Sequence, residues 1–134
     1  MLTLIVYIPE SHLEVVKQAL FDAGAGRVGN YEHCCWQTKG LGQFKPMKGS
    51  QPFIGTRETL ETLEEYRIEL VCKDEQAAHV KQALLNSHPY ETPAYHFLRC
   101  ERVWACLSDN SHSHIPALQR NKKFLVEGDD IRKS

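Results

Sequence analysis

The 134-residue sequence has no excess charge of either sign: 16 lysines and arginines stand against 17 aspartates and glutamates. That balance removes the electrostatic case for nucleic acid or an anionic membrane as partner. No apolar run approaches the roughly 20 residues that a bilayer requires. The opening MLTLIVYIPE also turns polar too soon for a signal peptide or a spanning helix. Five cysteines occur without a CxxC pair or even spacing, so no disulfide framework is expected, and free thiols predict a reducing, cytoplasmic setting. Neither a Ser/His/Asp nor a Cys/His spacing is present to support nucleophilic catalysis. What remains is a length sufficient for one hydrophobic core that needs no metal or disulfide to hold it.

The sequence does contain a duplication. Val16-Lys17-Gln18-Ala19-Leu20 recurs letter for letter as Val80-Lys81-Gln82-Ala83-Leu84. Superposing the two copies sets the alternating run Leu4, Val6, Ile8 opposite Ile68, Leu70, Cys72, so each half reads strand, then helix. In the first half, Ser11 and Glu14 have the spacing of a capping box, Leu13, Val16 and Leu20 form an apolar stripe, and Gly24 and Gly26 supply a helix stop. In the second, Asp74 is the expected N-cap, Ala77, Val80 and Leu84 repeat the stripe, and Pro89 ends the helix. A further strand follows each helix, at about 27–38 and 95–102. The pattern βαββαβ predicts an α+β, ferredoxin-like sandwich: a four-stranded antiparallel sheet with both helices on one face.

Residues 1–102 are therefore expected to form the domain. Lys39 to Leu63, rich in glycine and proline, is expected to be an exposed arm in which Gln43-Phe44-Lys45 could add a short strand. Residues 103–134 read as a C-terminal extension, loose over Ser108 to His114 and docked as a short helix over Ala117 to Val126. Strand alternation places Ile5, Tyr7, Glu69 and Val71 on the sheet face that has no helix to cover it. Leaving such aliphatic side chains wet costs about 1.5–3 kcal/mol each, which predicts a homo-oligomer closed over that face unless the arm or the tail folds back across it.

Gly24-Ala25-Gly26-Arg27-Val28-Gly29 matches a dinucleotide fingerprint but follows a helix and precedes a strand, the reverse of the order that phosphate binding requires, so it reads as a helix stop. His33, Cys34 and Cys35, then His88 and Glu91, then His112 and His114 are donors suited to copper or zinc, although no spacing among them is that of a known site. Glu69, flanked by Ile68 and Leu70 in a central strand, requires a partner, either a structural ion pair such as Arg67 or a ligand.

Four blocks in order, Gly29-Asn30-Tyr31-Glu32-His33-Cys34, Gly40-Leu41-Gly42-Gln43-Phe44-Lys45-Pro46, Pro52-Phe53-Ile54-Gly55 and His88-Pro89-Tyr90-Glu91-Thr92-Pro93-Ala94-Tyr95, resemble the insert domain of the NGG-one-interacting-factor-three-like family. That insert is similar in fold to the copper-tolerance CutA proteins and the PII signalling proteins, and His88-Pro89-Tyr90-Glu91 looks like the corresponding CutA segment. The lobes that hold the larger family's dinuclear metal centre have no counterpart here, so neither that centre nor a hydrolase activity is expected, and the chain reads as a stand-alone insert and a non-enzyme. The resemblance implies a homotrimer that binds a small effector or a partner protein at clefts between subunits, and the composition adds a cytoplasmic setting without nucleic acid or membrane. It gives Asn30, Tyr31, Cys34, Glu69, His88, Tyr90 and Glu91 as the candidate patch. The alternative is a CutA-like protein holding divalent copper or zinc through Cys34 with His33 or His88.

Overall fold

The period-two pattern of the first strand sets the core. In the computed structural model the structure describes residues 1–101. Strand β1 (Leu2–Pro9) turns Leu4, Val6 and Ile8 to one face, all fully buried. Helices α1 (Leu13–Asp22) and α2 (Ala77–Ser87) cover that face and touch each other. The duplication is visible in the packing: Val16 and Val80, and Leu20 and Leu84, take equivalent places and are all inaccessible to solvent. Each such side chain contributes about 1.5–3 kcal/mol by leaving water, so the two stripes carry much of the core energy.

Strands β2 (Trp36–Phe44), β3 (Glu61–Cys72) and β4 (Tyr95–Arg99) complete a sheet in the order β2-β3-β1-β4. Every neighbouring pair is antiparallel, with Leu4 opposite both Leu70 and Phe97, and Trp36 opposite Glu69. This is the ferredoxin-like arrangement that the repeat predicts.

The helix starts differ from expectation. α1 is entered through a single 3₁₀ turn, Glu10–His12, and the Ser11 hydroxyl lies 2.8 Å from Nδ1 of His12 instead of capping the helix. Asp74 likewise opens a 3₁₀ turn, Asp74–Gln76, and its carboxylate accepts from Arg99 at 2.7 Å. In both places a tight turn supplies the backbone bonding that a side-chain cap would otherwise provide.

The second strand also begins nine residues later than expected. Gly26, at φ +80°, donates its N–H to the Val71 carbonyl at 2.7 Å and accepts from Cys34 N–H at 2.8 Å, while Val28 and Tyr31 exchange two backbone bonds of 2.9 Å. These bonds tie 26–34 into a pinned loop, and strand pairing begins only at Trp36.

The arm expected over 39–63 is shorter than that span, because β2 continues to Phe44 and β3 begins at Glu61. The remaining connection, 45–60, is folded on itself. Glu58, at φ +66°, donates its N–H to Pro46 O at 2.6 Å and accepts from Lys48 N–H at 3.0 Å through its carboxylate. Arg57 donates to Ser50 O at 2.7 Å. The expectations for 103–134 lie outside the described residues.

The helix-free face carries Ile5 on β1, Val71 and Glu69 on β3, Trp36 on β2 and Leu98 on β4. Ile5, expected to stand wet on this face, is buried within the single chain, whereas Trp36 is 67% and Leu98 51% exposed.

Candidate functional site

Pro89 forces α2 to stop at Ser87, and His88 adopts extended backbone while its N–H still bonds Leu84 O at 2.9 Å. The ring turns inward and is 6% exposed. Its Nε2–H donates to the Tyr7 carbonyl at 2.7 Å, and its Nδ1 accepts the Tyr90 N–H at 3.1 Å. A carbonyl can only accept and a backbone N–H can only donate, so these partners fix the neutral Nε2–H tautomer. Burial holds the pKa of His88 below the ordinary histidine value, outweighing the Tyr7 carbonyl, and His12 pushes in the same direction as burial.

The turn that follows is built on Tyr90. Its ring centroid lies 4.9 Å from His88, 6.3 Å from Phe44 and 6.4 Å from Phe53, and Phe53 in turn meets His12 edge-on at 5.3 Å. The next residue, Glu91, accepts the Gln51 N–H at 3.0 Å, so the turn at 88–94 docks the 45–60 loop through both an aromatic and a polar contact. The Tyr90 hydroxyl is shut off from solvent without a hydrogen-bond partner among the described residues. Burial pushes its pKa up, and the carboxylate of Glu65, its charged neighbour, adds to the rise; their geometry stops short of a hydrogen bond. Burial likewise raises the pKa of Glu65, against a smaller opposing effect of Tyr90.

Beside Glu65, on the helix-free face, lies an open groove of about 380 Å³ bordered by Tyr7, Thr38, Gly40, Gly42, Arg67 and Ala94, among others. Its floor is bare at Gly40, where a Cβ would meet no other atom of the described residues within 4 Å. A Cβ on Gly42 would overlap the Glu65 carboxyl group, which lies across that glycine.

Of the candidate residues named from sequence, His88, Tyr90 and Glu91 come together. Glu69 lies on the helix-free face, paired with Arg67 Nε at 3.0 Å and opposite Ile5 and Trp36. Asn30 and Tyr31 are exposed in the pinned loop, which Gly26 fastens to Val71. Val71 faces Thr3, four residues and roughly 13 Å along β1 from the Tyr7 carbonyl that holds His88. Asn30 and Tyr31 thus belong to a loop anchored toward the other end of β1 from the His88 turn.

Among the described residues His33, Cys34 and His88 are not grouped as a copper or zinc donor set. Both nitrogens of His88 are already engaged, His33 at φ +58° stacks on Phe21 at 4.8 Å, and the Cys34 thiol rests 3.8 Å from Glu32 O. Among the described residues no three His, Cys, Asp or Glu side chains are grouped to hold a metal ion. Sequence reasoning did not include Glu65, Tyr7, Arg67, Phe44 and Phe53 in its candidate patch, although the structure places them around the groove or the Tyr90 turn. The available signal was a Gly-x-Gly in a strand whose partner strand carries an acid and a base two residues apart.

No family model matches the chain. It is 47% identical over 92 residues to the GTP cyclohydrolase 1 type 2 homolog of Halalkalibacterium halodurans, a match that spans 69% of this chain and 25% of that protein. Among solved structures, a Bacillus cereus protein related to NIF3 superposes with a TM-score of 0.66 at 37% identity, over 75% of this chain and 26% of that one. The PII-like protein CutA from Nostoc, at 12% identity, shares the fold alone, with a TM-score of 0.54 over 75% of this chain and 82% of that one. The chain thus spans about a quarter of the length of the curated relatives it matches. It is homologous to one segment of the NIF3-related proteins named GTP cyclohydrolase 1 type 2 homolog, and it carries the ferredoxin-like fold found in CutA.

Proposed function

We propose that this chain is a non-enzymatic, cytoplasmic binding module that self-associates through its helix-free sheet face and receives a small ligand or a partner protein in the clefts this creates. The observation that supports the reading most is that face itself. Trp36 and Leu98 stand exposed around Ile5 and Val71, with the groove beside Glu65 opening on the same side. An apolar cluster of this kind rimmed by polar groups is the ordinary form of an interaction surface. A homotrimer is the assembly that the likeness to CutA and PII proteins favours. Free thiols at Cys34, Cys35, Cys72 and Cys100 fit a reducing compartment. Among the described residues no helix is long and apolar enough to cross a membrane.

Light scattering coupled to size exclusion at micromolar concentration tests the assembly: a trimer mass is expected, and a monomer would overturn the reading. Copper or zinc binding is the second reading, resting on the free, partly exposed Cys34 next to His33. With His88 engaged, it requires donors from another copy. Stoichiometric metal that survives dialysis and is lost in Cys34→Ser would favour it over the first.

A further inference from the structure

Strand β2 is one edge of the sheet, and no backbone group among the described residues pairs with its outer side. Its register against β3 runs without a bulge from Trp36 opposite Glu69 to Phe44 opposite Glu61, and it contains no proline. Its one charged residue, Lys39, is drawn to Glu64 at 2.9 Å. Short length, proline, a bulge or a free charge are the usual means of keeping a sheet edge from pairing, so this nine-residue edge is open to an added strand. Glu65 gives that edge a chemical preference. It is half-buried, it has no cation at ion-pair distance among the described residues, and its carboxyl group lies where a Cβ of Gly42 would stand. The charge is therefore held over the edge strand itself, on the helix-free face.

We infer that β2 receives an extended segment of a partner protein as a fifth strand, with a lysine or arginine opposite Gly42 and an apolar residue beside it, opposite Leu41. Residues directly opposite each other in neighbouring strands have Cβ atoms about 5 Å apart. Because the Glu65 carboxyl group takes the Cβ position of Gly42, it stands about 5 Å from the Cβ of the added residue, an interval that a lysine or arginine stem covers. A carboxylate partly withdrawn from water without a counter-charge gains from such a pair. Leu41, 81% exposed on the other face of β2, is covered by the apolar neighbour. Over Gly40 a Cβ would meet nothing within 4 Å among the described residues, so the side chain added there has room to lie into the groove. The edge strands of a second copy offer no lysine or arginine to this face, since Lys39 on β2 and Arg99 on β4 both lie on the helix side. Every residue of the site belongs to one subunit, so the inference goes beyond the reading of the sheet face as a self-association surface.

Fluorescence anisotropy with the whole chain at neutral pH tests it. The probe is a labelled, end-blocked peptide of the length of β2 that alternates threonine and valine, with lysine in the central threonine place. One control carries glutamate there, and another carries N-methyl groups along the backbone, which remove the donors that strand pairing uses. The lysine peptide is expected to bind saturably, the glutamate peptide about tenfold or more weakly, and the N-methylated peptide not at all; Glu65→Gln is expected to weaken the lysine peptide by about tenfold. Val15→Ser, on an exposed helix position, should leave binding unchanged. The ligand-free melting midpoint of Glu65→Gln, expected at or above that of the parent, verifies that the variant is folded. No binding of the lysine peptide, equal binding of the glutamate peptide, binding that survives N-methylation, or indifference to Glu65→Gln would each overturn the inference. So would a fall in the light-scattering mass of Glu65→Gln, which would make the edge a contact between copies. An intact oligomer that does not bind the lysine peptide sinks this inference alone, whereas a monomer that binds it sinks only the assembly reading.

Discussion

The imidazole of His88 ties the end of one half of the duplication to the start of the other, its Nε2 lying 2.7 Å from the carbonyl oxygen of Tyr7. Because Nδ1 also accepts from Tyr90 N–H, protonation of this ring would set one donor against another. The neutral form is favoured in the folded state and the pKa is lowered, so the unfolded chain takes up the proton first as pH falls. Stability from this group is complete above about pH 6.5 and is lost as pH drops from there through the lower folded value. Denaturant titrations between neutral and mildly acidic pH should show that slope. His88→Phe keeps an aromatic ring but leaves the Tyr7 carbonyl and the Tyr90 N–H unpaired. It should cost about 1–3 kcal/mol at neutral pH and flatten the dependence.

Glu65 works in the opposite sense. Its folded pKa is raised by burial, so the unfolded state ionises first, and stability is lost as pH rises from about 4.5 through the folded value. Glu65→Gln has no charge to desolvate. Thermal melts of the ligand-free protein should place it level with the parent in acid and ahead of it at neutral pH. Solvent screening of a half-exposed group limits the gain to less than about 1 kcal/mol.

The parts of the fold that follow from hydrophobic spacing were legible in the sequence: Leu4, Val6, Ile8, Ile68 and Leu70 on the covered face, the two equivalent helix stripes, and the stop before Pro89. What the sequence hid were backbone decisions. Ser11 and Glu14 have the spacing of a capping box, yet the 3₁₀ turn leaves Ser11 bonded to His12. Tyr31 and Tyr95 are equivalent by alignment, yet only Tyr95 is in a strand, because Gly26 and the Val28–Tyr31 turn consume the backbone groups around Tyr31. For the site, the sequence placed His88, Tyr90 and Glu91 in one turn around Pro89, and there the His88 ring accepts from Tyr90 N–H. Glu65 was missed because its importance depends on Gly42 across the ladder and on Tyr90 beyond the strand, neither of which is close in sequence.

Gly26 is the residue on which the pinned loop depends. Its φ of +80° is one that L side chains rarely adopt, and a Cβ there would sit 2.8 Å from the carbonyl oxygen of Cys34, a backbone atom that cannot simply rotate aside. Gly26→Ala should therefore destabilise the chain by about 1–3 kcal/mol. Hydrogen exchange should show faster loss of protection at the amides of 26 and 34 than in α2 or β3. Gly29 also stands at positive φ, but a Cβ there would meet nothing within 4 Å among the described residues, so Gly29→Ala adds backbone strain without a clash and its cost should be smaller.

The helix-free face gives the final prediction. Trp36 and Glu69 sit opposite each other in the β2–β3 register, and Ile5 and Glu69 do so in the β1–β3 register, so the row Trp36, Glu69, Ile5, His96 crosses all four strands. Thr3, Val71 and Leu98 form the next row. If copies meet on this surface, the two exposed ends of the rows lose the most water on association. Trp36→Glu and Leu98→Glu place charges where partner apolar surface would lie. Each leaves the monomer core untouched, since both positions are more than half exposed. Burying an uncompensated carboxylate costs several kcal/mol, more than one ordinary apolar contact returns. Either substitution should therefore shift the light-scattering mass to that of a single subunit while leaving the far-ultraviolet dichroism unchanged. Val15→Glu, equally exposed but on the helix layer, should leave the mass as it is. A Trp36→Glu protein that retained the oligomer mass would place the contact between copies elsewhere.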